Sequence, residues 1–473
     1  MKYIHSIFLT LLSLSAFAQN YVDTLYTIAT ESDITYGTSV NFAGVDVDLK
    51  MDISYPVDAP ERLCGNPLIL LIHGGGFSTG SKTDPTIKRL REEFAKRGYV
   101  AAAINYRLGY FPSKISKNCN ISGWNCLNVA DSAEWYRAAY RGIQDAKGAL
   151  RYLINNKEQY KINPALVFVA GESAGAFISL GVAYLDHPDE KPITAFAIAP
   201  VETPHSDYYS PCIKNSTYNI PIDDMDLNRP DLGSVDGELN PTDIDFQIRG
   251  VGSMFGGSIT DLFSVTSNNT PPALYIFHQP NDLVVPYTRG RIFEGVNTCA
   301  MDNAGCANIT DRPLAYGGNG LKNLLDTLNI AQELKPKLLF ESTDNNANCI
   351  MQVFSPSTGG HQYDSFKTRT QNMATFFADE IINENCTVTF TRTIDNRRIR
   401  LFPNPASGSL NILGIEDNTV VTLTDNAGKV VLKETVSNAA NKINISNLSD
   451  GYYHVMIFGK DGVFVGPLRK TGE

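Results

Sequence analysis

The sequence predicts an α/β fold, a mostly parallel sheet with helices on both faces, joined to a small C-terminal antiparallel β-sandwich. Three observations carry this. Short apolar runs at Pro67 to Ile72, Tyr99 to Asn105 and Val167 to Ala170 alternate with stretches of helical periodicity, so strands and helices take turns along the chain. From Ile399 onward the pattern changes to short Val- and Thr-rich strands separated by Asn, Gly and Asp turns. At 473 residues the chain is longer than a single core accommodates, so one large and one smaller domain are expected.

The N-terminus reads as an export signal. Met1-Lys2 leads into the apolar run Ile7 to Leu14, and Ala16-Phe17-Ala18 supplies a small-x-small cleavage site, so residues 1–18 form a signal peptide and the mature chain begins at Gln19. No later run reaches the roughly 18 apolar residues of a spanning helix, which predicts an exported, soluble protein with no transmembrane segment. All eight cysteines follow the signal, and an oxidising destination makes disulfides the expectation. Cys119 with Cys126, and Cys299 with Cys306, are close enough to staple single loops; Cys64, Cys212, Cys349 and Cys386 leave three connectivities open. None has zinc-ligand spacing with histidine, so no metal is assigned. The net charge of -10 argues against nucleic-acid or anionic-membrane partners.

From Tyr21 to Pro56, period-two patches such as Val45 to Ile53 predict antiparallel strands at a sheet edge. The run Pro67 to Ile72 predicts a strand buried on both faces. It ends in His73-Gly74-Gly75-Gly76-Phe77, where consecutive glycines bring backbone N–H groups close to a ligand. Thr83 to Arg97 places Ile87, Leu90 and Phe94 on one helical face, with Gly98 as its stop. The strand Tyr99 to Asn105 continues into Tyr106-Arg107-Leu108-Gly109 and a loop to Asp131; a helix through Ile143, Ala146, Leu150 and Leu153 then leads to the next strand. That strand ends in Gly171-Glu172-Ser173-Ala174-Gly175. A chain that turns from strand to helix this sharply strains the serine, and the two glycines supply the room. The hydroxyl is left at a helix N-terminus, which favours developing negative charge.

The strand ending in His73-Gly74-Gly75-Gly76, the Asn105-Tyr106-Arg107-Leu108-Gly109 segment and the Gly171-Glu172-Ser173-Ala174-Gly175 turn follow one another as in the α/β-hydrolase fold. Over roughly residues 40 to 385 the chain resembles the carboxylesterases and the hormone-sensitive-lipase-like esterases. The resemblance implies Ser173 as nucleophile. It also implies the backbone N–H groups of Ala174 and of Gly74 or Gly75 as the oxyanion hole.

That family places an acid and then a histidine further along. Ala273 to His278 reads as the last-but-one buried strand, and Gln279-Pro280-Asn281-Asp282-Leu283-Val284-Val285-Pro286 resembles the family's acid segment, which makes Asp282 the candidate acid. The family's chain order then selects among the histidines. His5 is in the signal, His73 in the glycine motif, His278 ends a strand, His187 and His205 precede the acid, and His454 is in the tail. His361 remains, in the loop Thr358-Gly359-Gly360-His361-Gln362, after a strand around Met351 to Phe354 and before a helix starting near Asp364. Residues 297–335, with Tyr316-Gly317-Gly318-Asn319-Gly320, read as an insertion between acid and histidine.

Residues 202–263 are acidic and rich in Pro and Gly, at the position where the family carries a lid over the serine. Within them Asp236 to Asp243 resembles the later half of a calcium loop. Leu232 stands where the first carboxylate belongs, and Asp243 rather than Glu holds position twelve, so a solvated acidic loop is the simpler reading. The catalytic domain is expected over 19–386 and a linker over 387–398. The tail from Ile399, including Leu448-Ser449-Asp450-Gly451-Tyr452-Tyr453 and the basic ending Pro467-Leu468-Arg469-Lys470, looks like the sorting domain of Bacteroidetes type IX secretion. A carbohydrate-binding module lacks its tryptophan platform here, since both tryptophans precede the serine turn.

Together these readings predict a secreted serine ester hydrolase that acts on a small or polymer-attached ester, needs no cofactor and engages the type IX machinery through its tail. A secreted serine peptidase on the same fold and a non-catalytic hydrolase-like adhesion module are the alternatives.

Overall fold

The computed structural model describes residues 21–59, 64–111, 132–201, 226–260, 262–263, 271–295, 312–327, 335–343, 359–382, 399–415, 419–425, 429–437, 439–459 and 462–472. The predicted signal peptide, the 387–398 linker, the strand around Met351 to Phe354 and every cysteine except Cys64 lie outside them. Cys64 is disulfide-bonded. The chain divides into two compact units, Met1–Asn385 and Cys386–Glu473.

The first unit is built on an eight-stranded sheet. In chain order its strands are β1 (Ile28–Val40), β2 (Asp46–Pro56), β3 (Asn66–Ile72), β4 (Val100–Ile104), β5 (Ile162–Glu172), β6 (Ile248–Met254), β8 (Ala273–Phe277) and β11 (Leu338–Glu341). They lie in the order β1-β2-β4-β3-β5-β6-β8-β11. The first two pairings, β1 with β2 and β2 with β4, are antiparallel, and all others are parallel. The period-two edge and the continuous apolar centre thus appear where the sequence patterns predict them.

Side chains alternate across β3. Leu68, Leu70 and Ile72 join a core with Ile143, Leu150 and Ile178, from helices α2 (Ser132–Asn155) and α3 (Ala174–Tyr184). Ile69 and Leu71 face the other way, with Ile87, Leu90 and Phe94 of α1 (Pro85–Lys96) and Phe377 of a helix at Phe366–Ile382. A strand buried on both faces needs this continuous hydrophobicity. The tilted rings of Phe168 of β5 and Phe377 have centroids 4.8 Å apart, one of many contacts, each fully buried side chain contributing about 2 kcal/mol.

The lid range requires correction. Residues 248–254 are the central strand β6, and the described residues 226–245 run along α2. Arg137, Gln144 and Arg151 donate from that helix to the carbonyls of Pro230, Leu232, Ser234, Asp236 and Leu239. Asp236 pairs with Lys147 at 2.7 Å and Asp231 with Lys191, so these carboxylates in the stretch tie it to neighbouring elements. Residues 202–225 lie outside the described ones. A three-stranded sheet, β7 (Gly257–Ser258) with β10 (Leu314–Gly317) and β9 (Arg289–Arg291), completes this unit, and α4 (Gly318–Thr327) follows β10 directly.

The second unit holds two antiparallel sheets. Strands β12 (Arg400–Phe402), β13 (Ser409–Leu413) and β16 (Lys442–Asn444) form one; β14 (Thr419–Asp425), β15 (Val430–Val436), β17 (Gly451–Gly459) and β18 (Gly462–Lys470) form the other. Leu410, Ile412 and Ile443 of the first share a core with Val421, Leu423, Val455 and Leu468 of the second, as in a small β-sandwich.

Candidate active site

The candidate residues converge at the C-terminal ends of parallel strands, where helices begin and backbone N–H groups point outward. Ser173 closes β5 at φ 52° and ψ -123°, a conformation costly for a residue with a side chain. Two glycines allow it. A Cβ on Gly171 would lie 2.3 Å from the Gly175 carbonyl, and one on Gly175 would lie 2.1 Å from Ile72 O.

The glycine turn after β3 lies beside it, close enough that a Cβ on Gly74 would stand 3.1 Å from Ser173 Cβ. Gly75, Gly76 and Phe77 all take positive φ, at 100°, 60° and 61°. The Gly75 carbonyl accepts from the N–H groups of Ser78 and Thr79 at 3.1 and 3.0 Å. Among the described residues the N–H groups of Gly74, Gly75 and Ala174 donate no hydrogen bond within the chain. The Asn105 to Gly109 motif braces this turn: Tyr106 Oη donates to His73 O at 3.2 Å, and Gly109 N donates to Phe77 O at 2.7 Å. A buried Arg107–Asp145 ion pair at 2.7 Å holds the motif itself to α2. His73 stacks on Tyr106 with ring centroids 4.5 Å apart and donates from Nδ1 to Gly74 O. Burial pushes its imidazole down to about 4, against the opposing effects of that carbonyl and Asp84.

Beyond β8 and β11 the loops carrying Asp282 and His361 press together. A Cβ on Gly360 would come 2.5 Å from Asp282 N, and Gln279 Nε2 donates to Gln362 O at 2.9 Å. His361 Nε2 lies 2.8 Å from Ser173 Oγ, and His361 Nδ1 lies 2.8 Å from Asp282 Oδ2. With Nδ1–H donating to the carboxylate, Nε2 is free to accept the serine proton. Asp282 Oδ1 accepts the N–H groups of Val284 and Val285 at 2.8 and 3.0 Å, so one oxygen fixes the turn while the other holds the histidine. Burial by itself opposes ionisation of Asp282. The electrostatic attraction of His361 and the hydrogen bonds from His278 and His361 outweigh it and hold the carboxyl well below the usual range.

All six candidates, Ser173, Asp282, His361, Gly74, Gly75 and Ala174, are therefore brought into one place. Two groups were missed. His278, fully buried, also lies on Asp282 Oδ2, at 3.0 Å; the signal is a histidine four residues before the acid across a proline turn. Glu172, next to the serine, accepts from Thr86 Oγ1 at 2.7 Å, and burial pushes its carboxyl up.

Comparison with known proteins finds relatives for both parts of the chain. Residues 51–121 and 111–217 match the BD-FAE family, an esterase-like α/β-hydrolase domain, and residues 400–466 match the secretion system C-terminal sorting domain. Among curated proteins, the chain is 28% identical to the neuroligin-like protein glit-1 of Caenorhabditis elegans over 156 residues, 33% of this chain and 17% of that protein. It is 27% identical to gut esterase 1 of the same organism over 136 residues, 29% of this chain and 20% of that protein. The chain thus spans about a fifth of the length of the curated relatives it matches. A solved structure, esterase 2 of Thermogutta terrifontis phosphonylated by cyclosarin, is 16% identical with a TM-score of 0.36, covering 75% of this chain and 94% of that one. The chain thus resembles an esterase-like α/β-hydrolase domain over residues 51–217 and a secretion system C-terminal sorting domain over residues 400–466.

Proposed function

We propose that the protein is an exported serine carboxylic-ester hydrolase that works through an acyl-enzyme. The observation that supports it is the continuous Ser173–His361–Asp282 hydrogen-bond chain, 2.8 Å at each step, beside a turn with unengaged N–H groups. His361 Nε2 takes the hydroxyl proton as Ser173 Oγ attacks the ester carbonyl, and Asp282 stabilises the resulting imidazolium. The N–H groups of Ala174 and of Gly74 or Gly75 bind the oxyanion, each contributing about 3 kcal/mol to lowering the barrier. His361 then returns the proton to the leaving alcohol, and water hydrolyses the acyl-enzyme by the same route. No cofactor enters this scheme. The substrate is a small or polymer-attached ester, and the sorting domain directs the chain to type IX export, to the cell surface or beyond.

The test is hydrolysis of p-nitrophenyl acetate, butyrate and decanoate by the mature protein beside Ser173→Ala. We expect activity on the short esters and a loss on the order of a millionfold in kcat for the variant. Equal rates for the two proteins on every ester would reject the reading.

A further inference from the structure

Asp282 Oδ2 accepts from two imidazoles, and only one of them faces Ser173. His278, at the end of β8, places Nε2 at 3.0 Å from that oxygen, and its Nδ1 accepts the backbone N–H of Gly318 at 2.8 Å. A nitrogen that accepts an amide N–H carries the lone pair, so the ring hydrogen is on Nε2 and points at Asp282. Gly318 opens α4, within the stretch that separates the acid from His361. Glycines seat that stretch against the acid loop. A Cβ on Gly317 would lie 1.7 Å from Pro286 O, one on Gly318 would lie 2.8 Å from His278 Cβ, and one on Gly320 would lie 1.9 Å from Thr288 O. In the same stretch β10 pairs with β7 on one side and β9 on the other.

We propose that His278 is a positioning residue for Asp282 and that residues 312–327 set its tautomer; the catalytic consequence rests on the esterase reading above. Held in this form, His278 gives the carboxylate a fourth donor without adding a charge beside it. With its hydrogen on Nδ1 instead, the ring would turn a lone pair toward Asp282 and an N–H toward the Gly318 amide, and both contacts would be lost. The stretch between acid and histidine thereby orients one of the four donors that hold the acid.

Two measurements on the full mature chain test this. In wild-type protein labelled with 15N-histidine, the ring-nitrogen shifts of His278 at neutral pH are expected to report the Nε2–H tautomer. An Nδ1–H tautomer or an imidazolium overturns the proposal whatever the protein does with esters. In ester hydrolysis, His278→Leu is expected to lower kcat on the order of tenfold with KM changed by less than about twofold, the pattern of a lost transition-state contact. His278→Gln, whose amide reaches the same position, restores most of that loss. His278→Leu with wild-type kcat, or His278→Gln as impaired as His278→Leu, sinks the positioning role. If the wild type shows no Ser173-dependent hydrolysis, the esterase reading fails and the tautomer alone decides the placement of His278.

Discussion

Around Ser173 and Gly74 the backbone is shaped by contacts that only glycine permits, whereas around Asp282 and His361 the side chains are held by hydrogen bonds between segments far apart in the sequence. The first kind of construction is local and steric. A methyl group in the wrong place breaks it. The second is distributed and polar, and it depends on every donor having a matching acceptor. On the proposed reading, one site thus combines a rigid half that positions a nucleophile and backbone dipoles with a networked half that orients a base.

The sharpest way to break the networked half is Asp282→Asn. An amide in place of Oδ2 faces the hydrogens of both His278 and His361 with its own, so His361 is driven to the other tautomer. Ester hydrolysis should fall by about ten-thousandfold while circular dichroism shows the variant still folded. Retention of activity within tenfold would remove Asp282 from the mechanism. The rigid half responds the other way. Gly175→Ala pushes a methyl to 2.1 Å from Ile72 O, and we expect a loss of about 3 kcal/mol in denaturant unfolding. A variant as stable as the wild type would show that the turn relaxes.

A smaller effect separates the two halves by pH. His73 sits under the glycine turn with its imidazole at about 4, below the ordinary 6.5. The unfolded chain therefore takes up the proton first, so this contribution to stability is fully present above 6.5 and is lost as pH falls toward 4. The expected penalty is about 2 kcal/mol between roughly pH 7 and pH 5. His73→Asn, which keeps a donor for Gly74 O, should flatten that part of the profile, and an unchanged acid slope would count against the assignment.

This contrast also explains what was legible from sequence. The serine turn, the glycine turn and α1 are written in consecutive residues, through small side chains and apolar spacing, and they lie where those patterns put them. In sequence His278 reads only as a strand end, since its partner amide belongs to Gly318, forty positions away. The expected lid range 202–263 takes in β6 for a related reason. Gly250, Gly252 and Ser253 weaken the apolar signal of β6, whose glycines make room for Phe377 and Met373 instead. Arg137, Gln144 and Arg151 look like a solvent face of α2, but they spend their donors on the carbonyls of residues 230–239. Among the described residues β11 is the last strand of its sheet, and at four half-buried residues it is too short for its pattern to stand out.

The carbonyl of Gly75, engaged by the N–H groups of Ser78 and Thr79, bears on ligand selection. On the proposed reading the oxyanion turn takes its shape from Ser78, Thr79, Tyr106 and Gly109 before any ester arrives. Its dipoles need no rearrangement when charge develops, so the reorganisation energy that water would demand is largely absent. Discrimination then falls between a planar carbonyl and a charged tetrahedral oxygen, and tetrahedral phosphonates should bind to a turn that keeps the conformation of the free protein.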